Sequence, residues 1–298
     1  MTWQPTRDFV GYGSNPPDPR WPGGARLALN FVLNYEEGSE PSVQDGDGYT
    51  ENRLTDSGVA VQGRDLAAEG LFEFGSRVGF WRIHGEFAAR ELPLTVFACA
   101  LAVERNPLAA EAMIATGNDI CCHGLRWVNH TDLDEDEERR QIAEAVSRLE
   151  RTLGRPPAGW YCRYGPSVNT RRLVVEHGGF LYDSDSYADE IPFWTDVAGT
   201  PHLVLPYSLA TNDAKLLGSH ATGQLWFDYM KDAFDVLLRD GERSPRMMSV
   251  GLHNRIAGQP GRFAGLLRFL DYVQDHDDVW ITGREAIAHH WRREHPPT

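Results

Sequence analysis

Glu36 and Glu37 stand side by side at the end of the apolar run RLALNFVLNY (26–35), and four other apolar runs also end in residues able to move protons or hold an anion. His123 closes DICCHG (119–124), and Arg163 lies in GWYCRYG (159–165). Asp183 and Asp185 belong to FLYDSDS (180–186), and His253 to MMSVGLHN (247–254). Carboxylates and imidazoles placed this way supply general acid–base chemistry, while a guanidinium orients a carboxylate or a substrate oxygen. A lone acid at a strand end is usually a turn or helix cap, the simplest reading of Asp185. Several such strand ends together describe a catalytic cleft.

A cleft of this kind needs parallel strands whose C-terminal ends share one face. Besides the runs above, LPLTVFACAL (92–101), HLVLPYS (202–208) and DVWITG (278–283) read as strands. Between them lie helical patterns. In 134–153, Ile142, Val146, Leu149 and Leu153 recur at helical spacing, with Asp134 at the start and Gly154 and Pro156 at the end. Further helices are expected after Asn169, over 224–239 and over 261–275. The alternation implies crossover connections and a mainly parallel α/β sheet, and eight strands suffice to close a barrel. Residues 1–24, rich in Pro and Gly, read as an irregular arm, and 25–298 as a single catalytic domain.

The 298 residues carry a net charge of −14, which argues against nucleic-acid binding, since that depends on Lys and Arg neutralising phosphates. No apolar run reaches the ~18 residues of a membrane span, and the N-terminus lacks a signal-peptide pattern, so a cytoplasmic protein is expected. Cys99, Cys121, Cys122 and Cys162 form no CxxC motif and read as buried free thiols. A thiolate nucleophile at Cys121-Cys122, next to His123, is the lesser alternative. The chain has neither a GxSxG elbow nor a phosphate-binding GxxxxGK[ST] loop. GLHNRIAGQPGRF (251–263) reads as a Gly-rich connection opening a helix.

NYEEG (34–38), HGLRW (123–127), RYGPS (163–167), DSDSY (183–187) and GLH (251–253) resemble, in order, the motifs of the polysaccharide deacetylase (NodB-type) superfamily. GYGSNPP, LPYSLATND and KDAFDVL are similar to its metal-independent allantoinase branch, and the similarity spans about residues 8–294. The resemblance implies a distorted (β/α) barrel of the deacetylase type. Sugar deacetylases of the family carry Thr-Phe-Asp-Asp-Gly and His-x-x-x-His, giving a base and an Asp-His-His metal triad. Here the acids are Glu36 and Glu37, and Trp127 stands at the second histidine position. Catalytic zinc sites usually hold three protein ligands, so no metal cofactor is expected. His130 is the one substitute ligand in view, and reads better as a surface or supporting residue.

By the same resemblance Glu36 is the general base and His253 the general acid, with Asp183 fixing the His253 tautomer. His123 would hold the water or donate to the oxyanion. Glu37, Arg163, Trp127, Tyr164 and Asn254 would contact substrate, Glu37 by sharing a proton with Glu36 or by accepting from a substrate N–H. Arg163 has a competing reading as a structural ion-pair partner. The implied activity is hydrolysis of a cyclic amide, with allantoin opened to allantoate the leading substrate. The branch has Thr-Gly-Arg after GWY and Cys-Arg after the last histidine, whereas this chain has Cys162-Arg163-Tyr164-Gly165 and Asn254-Arg255. A cyclic imide or another ureide is therefore the runner-up, followed by a metal-dependent N-deacetylase of an acetylated sugar and a non-catalytic barrel. The resemblance also implies a homotetramer, with the N-terminal arm across a subunit interface.

Overall fold

The computed structural model describes residues 3–57, 61–163, 165–217 and 222–297. One sheet runs through it, built from β1 (Leu27–Tyr35), β2 (Thr95–Ala98), β3 (Asp119–Cys122), β4 (Gly159–Trp160), β5 (Tyr182–Asp183), β6 (Phe193–Val197), β7 (Thr200–Val204), β8 (Arg246–His253) and β9 (Val279–Ile281). Its order is β6-β7-β5-β4-β3-β2-β1-β8. β9 pairs with Leu27–Leu29 at the start of β1, and β2 with the second half of the same strand. Every pairing is parallel except the β6–β7 hairpin. The sheet curls into a half-barrel. Among the described residues its two flanks meet at one bridge, Asn212 with Gly251, where the Gly251 N–H donates to the Thr211 carbonyl at 3.0 Å.

β1 explains how the acid pair is presented. All nine of its residues are buried, as expected of a parallel strand covered on both faces. Leu27, Leu29, Phe31, Leu33 and Tyr35 pack outward among helices, while Ala28 and Val32 face the barrel interior with Phe97, Tyr161, Tyr182 and Tyr207. Successive side chains alternate between faces. Carried past Tyr35, that alternation sends Glu36 into the barrel mouth and Glu37 to the helix side.

All eight expected strands are present, several of them shorter than their apolar runs. The 92–101 run ends as strand at Ala98, because a helix starts at Ala100. β6 was not anticipated. It reaches β7 through Ala198 and Gly199, both at positive φ (52° and 86°), a two-residue hairpin loop whose Ala-Gly pair is a poor sequence signal. The four expected helices are Glu135–Leu153, Thr170–His177, Gly223–Asp240 and Pro260–Gln274. Asp134 caps the first by accepting from the Glu137 N–H at 2.9 Å.

Leu66–Phe74 and Phe80–Ala89 were also missed; they are joined by a π-helical turn, Gly75–Gly79. Four glycines, at 70, 75, 79 and 85, disguise this stretch, since glycine disfavours helix interiors. Two of them are required by close approach. A Cβ at Gly75 would run into the Glu37 carboxylate, and one at Gly79 into the Asn254 carbonyl. The helix thereby backs directly onto the acid pair.

Candidate active site

Glu36, His123 and His253 converge at the C-terminal mouth of the half-barrel, around a cavity of about 30 Å³. That is room for two or three waters. Glu36 Oε1 lies 3.3 Å from His123 Nε2 and 3.4 Å from His253 Nε2. His123 stacks on Tyr161, with centroids 5.1 Å apart, and its Nδ1 donates to the Tyr161 carbonyl at 2.9 Å. With Nδ1–H fixed, Nε2 bonds a carboxylate only when it too is protonated, and otherwise presents a lone pair to a water.

His253 ends β8. Its Nδ1 donates to Asp213 Oδ1 at 2.6 Å and its backbone N–H to Asp213 Oδ2 at 2.8 Å. Burial pulls the pKa of this imidazole down, but the Glu36 and Asp213 carboxylates outweigh it and push the value up to about 9. Burial would raise the Glu36 carboxyl, yet His253 and Arg255 hold it well below the usual carboxylate range. The resting pair is a carboxylate facing an imidazolium.

The orienting carboxylate is Asp213, not Asp183. Asp183 accepts from Arg171 Nε at 2.7 Å and contacts His202 Nε2 at 2.9 Å. The sheet order explains the correction. β5 lies between β4 and β7, whereas the segment after β7 carries Asp213 across to β8. Asp213 sits in the LPYSLATND phrase at the start of a 3-10 turn, Asp213–Leu216. An Asn-Asp pair after a strand was its only sequence signal. Asp185 is not a helix cap; it accepts from the Cys162 backbone N–H at 3.1 Å. Burial and the neighbouring Asp183 raise its pKa to about 8.

Glu37 is not placed to touch a substrate. Its Oε2 accepts from Asn254 Nδ2 at 2.8 Å, and its Oε1 from the Arg255 backbone N–H at 3.2 Å and from Arg255 NH1 at 3.1 Å. Asn254 is likewise committed to Glu37 and stands outside the cavity wall. Strand parity is the reason for both corrections. Glu36 and Glu37 do not share a proton; they share Arg255, whose NH2 is 2.8 Å from Glu36 Oε2.

Trp127 is buried and forms one wall of the cavity, with the Arg163 guanidinium 3.8 Å from its ring centre. Arg163 also lines the cavity, yet donates to the Trp127 carbonyl at 3.1 Å and pairs with Glu51 at 2.6 Å. Tyr164 lies outside the described residues. Leu54, Leu209, Asn34 and Asn212 also line the cavity; none of the four was singled out in the sequence. His130 is buried rather than on the surface, 2.9 Å from Glu138. All four cysteines are buried and free, and burial pushes the Cys122 thiol up to about 12, which removes the thiolate alternative.

These residues do not fit a divalent metal. Trp127 offers no donor, and a guanidinium bridges the two carboxylates. Among the described residues, no three His, Cys, Asp or Glu side chains form a group that could hold an ion.

Against known proteins, the polysaccharide deacetylase profile matches residues 71–182. A Schizosaccharomyces pombe protein provisionally named polysaccharide deacetylase is 36% identical, over 98% of both chains. This chain belongs to the polysaccharide deacetylase family. As a member it is a hydrolase built on the family's half-barrel. Among solved structures, a provisionally named polysaccharide deacetylase from Pseudomonas aeruginosa PAO1 is 50% identical with a TM-score of 0.93, covering 98% of this chain and 99% of its own. PuuE allantoinase is 49% identical with a TM-score of 0.94 over the same shares. Among the described residues, no helix is long and apolar enough to cross a membrane.

Proposed function

We propose that this deacetylase-family hydrolase opens a cyclic amide, with allantoin to allantoate as the first reaction to test, by acid–base catalysis without a metal. The observation that carries the reading is Glu36 Oε1 held within 3.4 Å of both imidazole Nε2 atoms in the lining of a small cavity. The likeness to PuuE allantoinase over nearly the whole chain supports the choice of ring.

In this scheme a water in the cavity beside Glu36 and His123 attacks the ring carbonyl as Glu36 takes its proton. The oxyanion faces the Arg163 guanidinium, a donor that lines the same cavity. His253 then passes its Nε2 proton to the ring nitrogen as the C–N bond breaks, leaving a carboxylic acid and an open-chain amide N–H. Glu36 is a weak base while His253 is charged. Its proton affinity climbs as His253 gives its proton away, so the two transfers assist each other. The 3.4 Å between them lets Glu36 hand its proton to His253 and reset the pair.

Another ring, a cyclic imide or a different ureide, is favoured over allantoin only by the segment after Trp160, because Arg163 lines the cavity. The Asn254 departure does not reach it. Metal-free action, cytoplasmic location, the tetramer and the catalytic domain over 25–298 are part of the same proposal. Purified, chelator-treated protein assayed on allantoin, hydantoin, succinimide and an N-acetylglucosamine oligomer decides. Turnover of one ring after chelation is expected; turnover of the oligomer alone, restored by zinc, would overturn the reading.

A further inference from the structure

Arg255 takes no part in the proton transfers above, yet it is held from every side. NH2 lies 2.8 Å from Glu36 Oε2 and NH1 lies 3.1 Å from Glu37 Oε1. Nε donates to the Leu54 carbonyl at 3.0 Å, and the backbone N–H to Glu37 Oε1 at 3.2 Å. The guanidinium carbon sits 4.5 Å from the Phe72 ring centre and 4.9 Å from that of Trp127. The residue is fully buried, on a short helix, Asn254–Ala257, that packs against the π-helical turn.

Two adjacent buried carboxylates require a cation, because an uncompensated charge away from water is strongly destabilising. A divalent ion placed between them would need a free lone pair from each. Here Glu37 Oε1 accepts from Arg255 NH1 and Glu37 Oε2 from Asn254, while Glu36 Oε2 lies in ion-pair contact with Arg255 NH2 without a hydrogen bond to it. A planar cation stacked against aromatic rings suits this slot better than a hydrated ammonium would.

We propose that Arg255 is a built-in cation, whose guanidinium fills the place a divalent ion would need between Glu36 and Glu37 and so closes the acid pair to metal. The role assigned to Glu36 rests on the acid–base reading above; the displacement of metal does not. A guanidinium has no open coordination position and cannot generate a metal-bound hydroxide. It holds the Glu36 carboxylate ionised and leaves the proton of the attacking water to a side chain. Arg255 is thus a positioning residue. The Trp127 ring already borders the guanidinium, so an imidazole at 127 with the guanidinium removed puts a nitrogen donor beside the carboxylate oxygens that the guanidinium had faced.

The test is metal uptake. Wild type, Trp127→His and Trp127→His/Arg255→Gln are loaded with zinc, dialysed and analysed for zinc per folded chain, with the fold checked by circular dichroism. The double variant should retain about one zinc per chain, and the other two less than about a tenth. A folded double variant that retains no more zinc than wild type overturns the proposal. If the double variant does not fold, titration of wild type with zinc decides: no uptake is expected, and stoichiometric uptake that Glu36→Gln abolishes overturns it. A protein that opens no ring amide but shows this pattern would sink the proposed function and leave the place of Arg255 intact.

Discussion

Asp213 grips His253 through both of its oxygens, Oδ1 on the ring Nδ1–H at 2.6 Å and Oδ2 on the backbone N–H at 2.8 Å. One carboxylate therefore sets the ring's orientation, tautomer and charge. Asp213→Asn keeps the size and removes the charge. The high-pH limb of kcat/KM should move down from about 9 toward the ordinary histidine value of 6.5, with activity at pH 8 falling by up to about 30-fold. An unmoved limb would show that His253 is not the acid.

Wild-type activity should form a broad plateau. His253 must be charged and Glu36 ionised, so the rate falls as pH rises through about 9, and on the acid side only well below the usual carboxylate range. Stability carries the same signature. A histidine whose folded pKa is raised contributes stability that is complete below its unfolded value and lost as pH climbs through the folded one. Melting temperature measured from pH 6 to pH 10 should decline across the interval from 6.5 to about 9.

Glu36→Gln removes the base while nearly keeping its shape. A loss in kcat of about 1,000-fold or more is expected, with the melting curve little changed because Glu37 still faces Arg255. Stopped assays over long incubations would measure the remainder. Full turnover would move the base assignment to His123.

Glu37→Ala should act on folding. It strips Arg255 and Asn254 of their partner and leaves a buried guanidinium half-compensated, at a cost of about 3–5 kcal/mol. Urea titration reads this. A substrate-binding role would instead appear as a raised KM at unchanged stability.

Gly79→Ala tests the close packing beneath Arg255. The added methyl meets the Asn254 carbonyl, backbone that cannot rotate away, so overpacking of about 1–3 kcal/mol or more is expected, with reduced activity in whatever folds. An alanine variant as stable as wild type would mean the short helix can shift without consequence.

The sequence showed what strands and helices with clean periodicity could show. β1, β3, β8 and the helix over Glu135–Leu153 were legible from apolar spacing and caps, and the ends of β1, β3 and β8 carry the three converging groups. Asp213 and Arg255 were not legible, because their roles come from contacts across the sheet rather than from their neighbours in sequence. Asp183 looked like the orienting acid because its distance from His253 along the chain says nothing of the strand order. The glycine-rich helix over 66–89 hid for the opposite reason. Its local preference is poor, and its form is imposed by the carboxylate and carbonyl it packs against.

The flanks of the half-barrel join at the Asn212–Gly251 bridge, and Asp213 and His253 lie on opposite sides of that join. The orienting bond of the proton donor is therefore also a latch on the barrel. Any breathing that parts the seam also misaligns the acid, so loosening the wall and slowing the reaction become one event. The Gly251 amide, bonded across the seam to Thr211, is its natural reporter. Its hydrogen-exchange rate should quicken in Asp213→Asn, while the β1–β2 amides, one strand removed from the seam strand, stay protected.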